Sequence, residues 1–308
     1  MKAFNDIEYE DINCPICNSV NLEKKFEATL GKNEVPLIGY DYSDNKQNKT
    51  FAYSYCLDCT HLFATPRIKN LHKYYIDKID DHYLVNSQYR QFSYQNVLNI
   101  IEKFKTNGNL LDFGSGMGDF LEQAIKKKYK CAGIELSKFS SEISIKKGHK
   151  IFSTNLHLLD KEIKEYFKSE KIDIVIMMGV IEHLENPSKD LNKIKSLLSN
   201  DGLVVLWTGD SGCMYSKLLG RKWWYVIGQH IQLFSRKSLI KLFKNHNFEI
   251  IYNKNFPYVF DYKYFDFHLK RYWIYKYFLR FFIYPFLLIK NRFTLYLSSE
   301  ILMIYRKK

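Results

Sequence analysis

The sequence is poor in cysteine and lacks any long uncharged apolar run. Only six of its 308 residues are cysteine, too few for a disulfide-built scaffold in a chain of this size. No stretch reaches the ~18 apolar residues that a membrane-spanning helix needs. The polar, acidic segment 1–13 lacks the apolar core of a signal peptide. With no internal repeat or long low-complexity segment either, we expect a globular protein of the reducing cytoplasm.

The composition is ordinary except for charge and aromatic content. Hydrophobic residues make up 46% and charged residues 26%, which is typical of a soluble globular chain. The net charge of +13 makes phosphates, acidic substrates and anionic lipid surfaces plausible partners. The chain has 51 aromatic residues, and fifteen of them fall within 258–286. That local concentration requires its own explanation.

The period of the apolar residues changes along the chain. The first 67 residues contain short strand patterns and both cysteine doublets, and residues 68–87 form a Tyr-rich connector. From residue 88 to 308 strands and helices alternate, which predicts an α/β fold with helices on both faces of a parallel sheet. We therefore expect a Rossmann-like, doubly wound, mostly parallel sheet. Its seven strands are predicted at 109–113, 130–136, 149–153, 172–178, 202–208, 248–253 and 300–305. The last two could pair antiparallel at a sheet edge.

A glycine-rich turn follows the first of these strands. Residues 110–118 read Leu-Leu-Asp-Phe-Gly-Ser-Gly-Met-Gly, and a helix pattern follows at once. Glycines allow a sharp turn, and the free N–H groups of the helix can hold a polar or charged ligand. Glu135 ends the next strand, where a carboxylate can accept both hydroxyls of a ribose. The G-x-G-x-G spacing differs from the G-x-G-x-x-G of dinucleotide folds.

The turn resembles the first motif of the class I S-adenosylmethionine-dependent methyltransferases. Segments 171–176, 179–187 and 197–205 resemble the fourth strand, the E-H-L-x-x-P segment and the fifth-strand entry of that family. The resemblance implies that Asp112, Gly114 and Gly116 line the methionine end of the cofactor, with Gly118 in the same loop. It also implies that Glu135 holds the ribose. Asn155 lies where the family often has an adenine contact, but it could equally cap the next helix.

Four cysteines form two C-x-x-C doublets. Cys14 and Cys17 form the first, and Cys56 and Cys59 form the second. Two such doublets supply the four thiolates of a tetrahedral structural zinc site, so we predict a zinc-ribbon-like module over 1–67. The alternatives are four unrelated buried cysteines or a redox pair. The module resembles that of sugar and glycan methyltransferases, in which Gly-His and Pro-Arg follow the second doublet. Here Thr60 replaces that glycine.

Two histidines follow strands on the expected acceptor side. His183 follows the fourth strand and His230 the fifth, and either could take a proton from an acceptor hydroxyl. Segment 220–235 resembles the G-x-x-W-W-Y … H-x-x-x-F-S stretch of bacterial glycan-cluster methyltransferases. That resemblance assigns Trp223, Trp224 and Gln229 to acceptor binding. The alternative is that the tryptophans fill the core and His230 makes a structural hydrogen bond.

A metal-dependent group of methyltransferases carries E-x-x-E-H in the segment that contains His183. This chain has Gly179 at the first Glu position, so no catalytic metal is predicted.

The aromatic segment is predicted to be a helical insertion over 258–294. Most of its basic residues fall on one side of a helix over 262–289, with Arg271 outside that arc, and this pattern is typical of a helix at a membrane interface. The alternatives are a cap on the sheet domain or an oligomer contact. Lys276, Arg280 and Pro285 argue against a membrane span.

Together these features predict an S-adenosylmethionine-dependent methyltransferase, acting by O-methylation on a sugar or glycan intermediate that could be lipid-linked. One alternative is an RNA methyltransferase, suggested by the charge and the zinc module. The lysines of this chain are scattered and no N-P-P-Y-type motif is present, so we do not expect a nucleic-acid partner. The others are C- or N-methylation of a small molecule, and a non-catalytic zinc-stapled binding module. C-methylation is disfavoured because sugar C-methyltransferases carry a further large domain, for which this chain is too short.

Overall fold

A computed structural model provides the three-dimensional structure of the chain. It describes residues 7–31, 34–36, 49–74, 87–168, 171–260, 266, 275–283, 285 and 292–308. Most of the predicted connector and most of the predicted aromatic insertion lie outside these ranges. Among the helices that are described, none combines the length and the apolar character needed to cross a membrane.

The strands and helices follow the alternation that the apolar pattern predicts. In chain order the strands are β1 (Tyr9–Glu10), β2 (Leu22–Phe26), β3 (Tyr53–Cys56), β4 (Leu62–Ala64), β5 (Arg67–Ile68), β6 (Asn109–Phe113), β7 (Lys130–Ile134), β8 (Ile151–Phe152), β9 (Ile172–Met178), β10 (Leu198–Gly209), β11 (Gln232–Leu233), β12 (Phe248–Phe260) and β13 (Phe293–Lys307). The α-helices are α1 (Ser87–Ile101), α2 (Asp119–Lys126), α3 (Lys138–Lys146), α4 (Asp160–Phe167), α5 (Pro187–Leu197), α6 (Met214–Leu219), α7 (Arg236–Asn245) and α8 (Arg280–Ile283). Short 3₁₀ turns lie at Leu71–Tyr74, Leu156–Leu158, Ile181–His183 and Gly220–Lys222.

A seven-stranded sheet forms the centre of the molecule. Its order is β12-β13-β10-β9-β6-β7-β8, and the strands from β10 to β8 are parallel. The central strand β9 is apolar on both faces because Ile174, Val175 and Ile176 are all fully buried. Burial on both faces is what a parallel sheet covered by helices requires. The predicted mostly parallel, seven-stranded α/β sheet is confirmed.

The last two strands pair antiparallel at one edge of this sheet, as predicted, but both are much longer than predicted. β12 has 13 residues and β13 has 15, and they stay paired as far as Phe260 and Phe293. The helical insertion predicted over 258–294 is therefore wrong at its two ends, which are strand. The described residues of the insertion include a π-helical turn at Tyr275–Leu279 and α8, and Asp266 is also helical.

The N-terminal region forms a second sheet, of order β11-β4-β3-β2. Three of its strands come from residues before 65, but β11 comes from the segment after β10. The predicted boundary at residue 67 consequently does not separate two independent sheets. Phe51 and Tyr53 pack in one buried cluster with Trp223, Tyr225 and Ile231. The N-terminal module and the segment 220–235 thus share a core.

Candidate functional site

A cavity of about 420 Å³ opens at the carboxyl ends of the central strands. Its walls come from the turns that follow β6, β7, β8 and β9. After β6 the chain continues to β7 on one side of the sheet, and after β9 it continues to β10 on the other side, so the strand order reverses between β6 and β9. In open α/β sheets ligands bind at this point. The cavity is the candidate site for a small-molecule cofactor.

The glycine turn forms one wall of the cavity. Gly114 and Gly116 line it, with φ angles of 80° and 52° that other residues rarely adopt. A Cβ atom on Gly114 would lie 2.5 Å from Cγ2 of Val180. The turn is therefore shaped by the absence of side chains, and it fits the predicted cofactor loop.

Two residues that the sequence assigned to the cofactor lie away from the cavity wall as described. Gly118 precedes α2, and a Cβ atom there would lie 2.4 Å from Oγ of Ser144. Its role is close packing of the loop against α3. Asp112 is 2% exposed within β6, and burial raises the pKa of its carboxyl to about 8. Neither residue is among those that line the cavity, so their contact with the cofactor stays a prediction.

Glu135 lies on the cavity wall immediately after β7. Its Oε2 accepts a hydrogen bond from the Gly116 N–H at 2.8 Å, and its Oε1 accepts one from the Ser137 N–H at 2.7 Å. These backbone bonds orient the carboxylate but leave each oxygen with a second lone pair. Burial raises the pKa of Glu135, and the backbone hydrogen bonds oppose that shift. The geometry suits a carboxylate that accepts two ribose hydroxyls.

The structure shows the capping role of Asn155 and places the residue on the cavity wall, where the adenine contact stays a prediction. Its Oδ1 accepts a hydrogen bond from the His157 N–H at 2.9 Å and so caps the 3₁₀ turn Leu156–Leu158. The residue also lines the cavity. Capping fixes the orientation of its side chain at the wall.

Two histidine–carboxylate pairs on the cavity wall escaped the sequence analysis. His157 Nε2 lies 2.8 Å from Asp190 Oδ1, and His72 Nδ1 lies 2.8 Å from Glu185 Oε1. His72 comes from the turn that follows the N-terminal module. Partners from separate parts of the chain form each pair, so no local motif could reveal them.

On the acceptor side the structure brings the two predicted histidines together. Their ring centroids lie 4.8 Å apart, but only His183 is among the residues that line the cavity. His230 is 6% exposed and contacts the ring of His183 without lining the cavity. The sequence placed His230 first as the catalytic base, whereas the structure gives His183 access to a ligand.

Backbone carbonyls set the tautomer of both rings. His183 Nδ1 lies 2.9 Å from the carbonyl oxygen of Gln229, and His230 Nδ1 lies 2.8 Å from that of Tyr225. A carbonyl accepts a hydrogen bond only from N–H, so in the neutral rings Nδ1 carries the proton and Nε2 carries the lone pair. Burial lowers the pKa of His183 to about 4 and that of His230 well below its ordinary value. Both imidazoles are neutral near pH 7 and able to accept a proton.

A buried carboxyl completes this cluster. One donor atom each from Glu182, His183 and His230 lie within 4.8 Å of one another. Glu182 Oε2 accepts a hydrogen bond from Thr208 Oγ1 at 3.0 Å, and burial raises the pKa of Glu182 to about 8. The sequence argument against a metal rested on Gly179, but His230 supplies a third donor from a distant segment. Two imidazoles and a carboxyl could hold a divalent cation, so Gly179 alone does not exclude one.

Glu300 in β13 is a second buried carboxyl. Trp207 Nε1 donates to its Oε2 at 2.7 Å, and the Tyr258 hydroxyl donates to the same oxygen. Burial raises the pKa of Glu300 to about 7. No local motif indicated this residue, because its partner Trp207 lies 93 residues away in the sequence.

The tryptophan assignment needs correction. Trp223 is 1% exposed and stacks on Tyr225 at 5.2 Å between ring centroids, so it fills the shared core and cannot stack on an acceptor. Trp224 is half-buried beside Tyr215 and is absent from the cavity wall as described. Gln229 does line the cavity. Of the three residues predicted to bind the acceptor, only Gln229 reaches it.

The four cysteines of the doublets meet at one point. The Sγ atoms of Cys14 and Cys59 lie 3.4 Å apart, those of Cys17 and Cys56 lie 3.6 Å apart, and all four lie within 4.8 Å of one another. Sulfurs around a tetrahedral Zn²⁺ with bonds of ~2.3 Å lie ~3.8 Å apart. The hydrogen bond with Cys59 lowers the pKa of Cys14 to about 5, so one thiolate forms readily. The donor set and its spacing fit zinc.

Comparison with known proteins identifies the family. The family described as "Methyltransferase domain" matches residues 83–253, more than half of the chain. The chain therefore belongs to the methyltransferase-domain family, and its enzyme class is methyltransferase.

Individual relatives are distant. A probable (S)-tetrahydroprotoberberine N-methyltransferase of Papaver bracteatum is 23% identical over 106 residues, which is 34% of this chain and 30% of that protein. An uncharacterized protein of Methanocaldococcus jannaschii is 25% identical over 162 residues, 51% of this chain and 73% of that protein. The chain thus spans less than a third of the poppy protein.

Several solved structures share the fold at low identity. An S-adenosylmethionine-dependent methyltransferase of Archaeoglobus fulgidus is 15% identical, with a TM-score of 0.49 over 74% of this chain and 100% of that one. The plantazolicin methyltransferase BpumL, solved with S-adenosylhomocysteine, is 13% identical, with a TM-score of 0.48 over 74% of this chain and 87% of that one.

Proposed function

We propose that the 420 Å³ cavity binds S-adenosylmethionine and that the enzyme methylates a hydroxyl of a sugar or glycan intermediate. The observation that carries the cofactor assignment is the pairing of the side-chain-free turn at Gly114 with the backbone-oriented carboxylate of Glu135. The cofactor supplies a methyl group on a sulfonium, which is a good leaving group. The protein must therefore align the acceptor and remove its proton.

The histidine cluster performs the acid–base work in this proposal. His183 borders the cavity, and its Nε2 lone pair takes the hydroxyl proton while the oxygen attacks the methyl carbon. His230, behind it, supports this ring and limits the space around it. Because the pKa of His183 is about 4, its ring is unprotonated at all physiological pH values, which is the form that acts as a base.

Several polar groups in the cavity wall suit a sugar acceptor. They include Gln229, Asn186 and the hydrogen-bonded pair of His72 and Glu185. Amide, imidazole and carboxylate groups are suited to several hydroxyls on one ring. The motif likeness of segment 220–235 to glycan-cluster methyltransferases points in the same direction.

The cysteine cluster holds one structural zinc in this proposal. Its four thiols come from two turns that are closed by backbone hydrogen bonds, Asn18 N to Cys14 O and Thr60 N to Cys56 O, both 2.8 Å. We expect one equivalent of zinc in protein purified without chelator. Less than half an equivalent, or four cysteines that react freely with a thiol reagent in the native protein, would contradict this assignment.

Two experiments separate the parts of the proposal. Calorimetric titration with S-adenosylhomocysteine tests the cofactor, and absence of binding by the folded wild-type protein refutes it. Incubation with S-adenosylmethionine and a panel of nucleotide sugars, lipid-linked saccharides and RNA tests the acceptor by mass spectrometry. Methylation at a sugar oxygen is the expected result. A product methylated at carbon or nitrogen, or a methylated RNA, would replace the acceptor class and leave the cofactor assignment standing.

A further inference from the structure

The segment 220–235, here called the acceptor loop, pairs with a strand of the N-terminal module, and its end is also bonded to Ser211, which follows β10. β11 pairs antiparallel with β4, in the register Gln232 to Phe63 and Leu233 to Leu62. The Ala64 N–H also donates to the carbonyl oxygen of Ile231 at 2.9 Å. The strand that follows His230 is thus part of the module's own sheet.

Tyr53 on β3 holds the backbone of His230 itself. Its hydroxyl shares its one proton between the carbonyl oxygens of His230, at 2.8 Å, and Ile227, at 3.1 Å, in a three-centre hydrogen bond. The side chain is fully buried, and burial raises the pKa of Tyr53, so the hydroxyl keeps its proton. A buried hydroxyl that bridges two carbonyls fixes the loop on both sides of Gln229, whose own carbonyl orients His183.

His61 makes a second connection, which reaches the other histidine. His61 Nε2 lies 2.8 Å from Gln232 Oε1, and the Gln232 amide donates to the Leu184 carbonyl at 3.1 Å. Leu184 directly follows His183. One chain of hydrogen bonds therefore runs from the module through the acceptor loop to the turn that carries His183.

The second cysteine doublet lies at the turn between the two strands that make these contacts. β3 ends at Cys56, and Cys59 lies two residues before His61. The Cys56 N–H donates to the His61 carbonyl at 2.8 Å, so the turn that contains the second doublet also fixes the backbone of His61. Metal bound by the four thiolates would lock this turn, because structural zinc sites contribute folding energy directly.

We propose that the N-terminal module is a working part of the acceptor site, in which Tyr53 and His61 are positioning residues that set the orientation of the imidazoles of His230 and His183. Zinc in the cysteine cluster maintains this orientation. The cofactor wall at Gly114 and Glu135 does not depend on it, because it belongs to the turns after β6 and β7. The inference rests on the proposed role of the histidine pair, but its principal test needs neither an acceptor nor turnover.

The test is ¹⁵N NMR of the full-length protein labelled at histidine, with signals assigned by His183→Ala and His230→Ala. We expect Tyr53→Phe to shift the ring-nitrogen signals of His230 and His183, because the carbonyls that accept from the two Nδ1–H groups move when the loop is released. The matched control is Tyr55→Phe, since Tyr55 lies on the same face of β3 and, among the described residues, only the hydroxyl of Tyr53 of these two bonds to the acceptor loop. The control should keep the wild-type signals, and both variants should bind S-adenosylhomocysteine within about twofold of wild type.

Unchanged ring-nitrogen signals in a folded Tyr53→Phe protein would overturn the inference. Equal shifts in Tyr55→Phe would also overturn it, because they would indicate general loosening of the module. Protein stripped of zinc by a chelator should show the Tyr53→Phe spectrum, and a folded, zinc-free protein with the wild-type spectrum refutes the part played by the metal. If stripping unfolds the protein, Cys17→Ser, at the least buried of the four thiols, replaces it with the same two outcomes.

A kinetic readout follows once the acceptor is known. Tyr53→Phe should lower kcat by about 10–100-fold, because small displacements of a catalytic group reduce turnover at this scale. KM for S-adenosylmethionine should change little. If wild-type protein fails to bind S-adenosylhomocysteine while the imidazole signals respond to Tyr53→Phe, the proposed function has failed and the positioning inference has not.

Discussion

The two sides of the cavity are built in different ways. On the cofactor side, Gly114, Gly116 and Glu135 come from two consecutive strand–turn units, and they are oriented by backbone groups of those same turns. On the acceptor side, His183 and His230 are oriented by carbonyls of the acceptor loop, which is anchored in turn on the N-terminal module. The cofactor side is therefore a local structure, whereas the acceptor side depends on long-range contacts. Substitutions should separate the two sides.

The largest expected effect is that of His183→Ala on turnover. Loss of the base that borders the cavity should lower kcat by about 10²–10⁴-fold, with cofactor affinity near wild type. His230→Ala should lower kcat less, by about 10–10²-fold, because its ring supports His183 from behind. Turnover of S-adenosylmethionine with the identified acceptor measures both. If His230→Ala has the larger effect, the base is His230, as the sequence suggested. Unchanged turnover in both variants would point to proton removal by a group of the substrate.

Adding a single methyl group to the cofactor side should weaken cofactor binding. Gly114→Ala places a Cβ atom 2.5 Å from Val180 Cγ2 at a φ of 80°, and should weaken S-adenosylhomocysteine binding by about 10–100-fold. Gly148→Ala is the matched control, because its φ is 88° but nothing lies within 4 Å of the added Cβ atom. The control should lose about 1 kcal/mol of stability and keep its affinity. Equal affinity in the two variants, measured by calorimetry, would show that contact between the added Cβ atom and Val180 does not weaken binding.

This contrast also explains what could be predicted from the sequence. The alternating period and the glycine turn predicted the sheet and the cofactor wall, because those features depend on residues close together in the chain. Trp223 and Glu300 show the limit. The aromatic pattern around Trp223 is equally compatible with a stacking surface and with a core, and only the partners in the N-terminal module decide. Glu300 contacts Trp207, which lies 93 residues away in the sequence, so no local pattern indicates the contact.

The buried carboxyl beside the histidines should make stability depend on pH. Glu182 has a pKa of about 8 in the folded chain and an ordinary value near 4.5 when unfolded. Between these values the folded state holds the extra proton, so the free energy of unfolding falls as pH rises through this window. Glu182→Gln removes this slope and should raise Tm at pH 9 by roughly 5 °C, with little effect at pH 4. Thermal unfolding at both pH values checks this, with the exposed Glu23→Gln as control. A wild-type slope in Glu182→Gln would show that Glu182 is ionised in the folded protein.

The smallest expected effect concerns the exposed aromatic turn at the edge of the molecule. Phe281 and Phe282 are 81% and 69% exposed beside the exposed Lys276, and we propose that this turn contacts anionic membranes. Replacing both phenylalanines with glutamate should weaken cosedimentation with phosphatidylglycerol vesicles by about tenfold. Leu218→Glu, at a 74% exposed residue of α6, serves as control. If wild-type protein stays in solution with these vesicles, the turn has another partner, and a concentration-dependent mass in light scattering would identify it as a second copy of the chain.

The separation of the two sides is tested most directly by one set of calorimetric titrations with S-adenosylhomocysteine. Wild type and His183→Ala should bind with the same affinity within about twofold. Glu135→Ala should bind at least ~10-fold more weakly, because it loses a carboxylate that both Gly116 and Ser137 orient toward the cavity. Full affinity in Glu135→Ala, or lost affinity in a folded His183→Ala, would contradict the account.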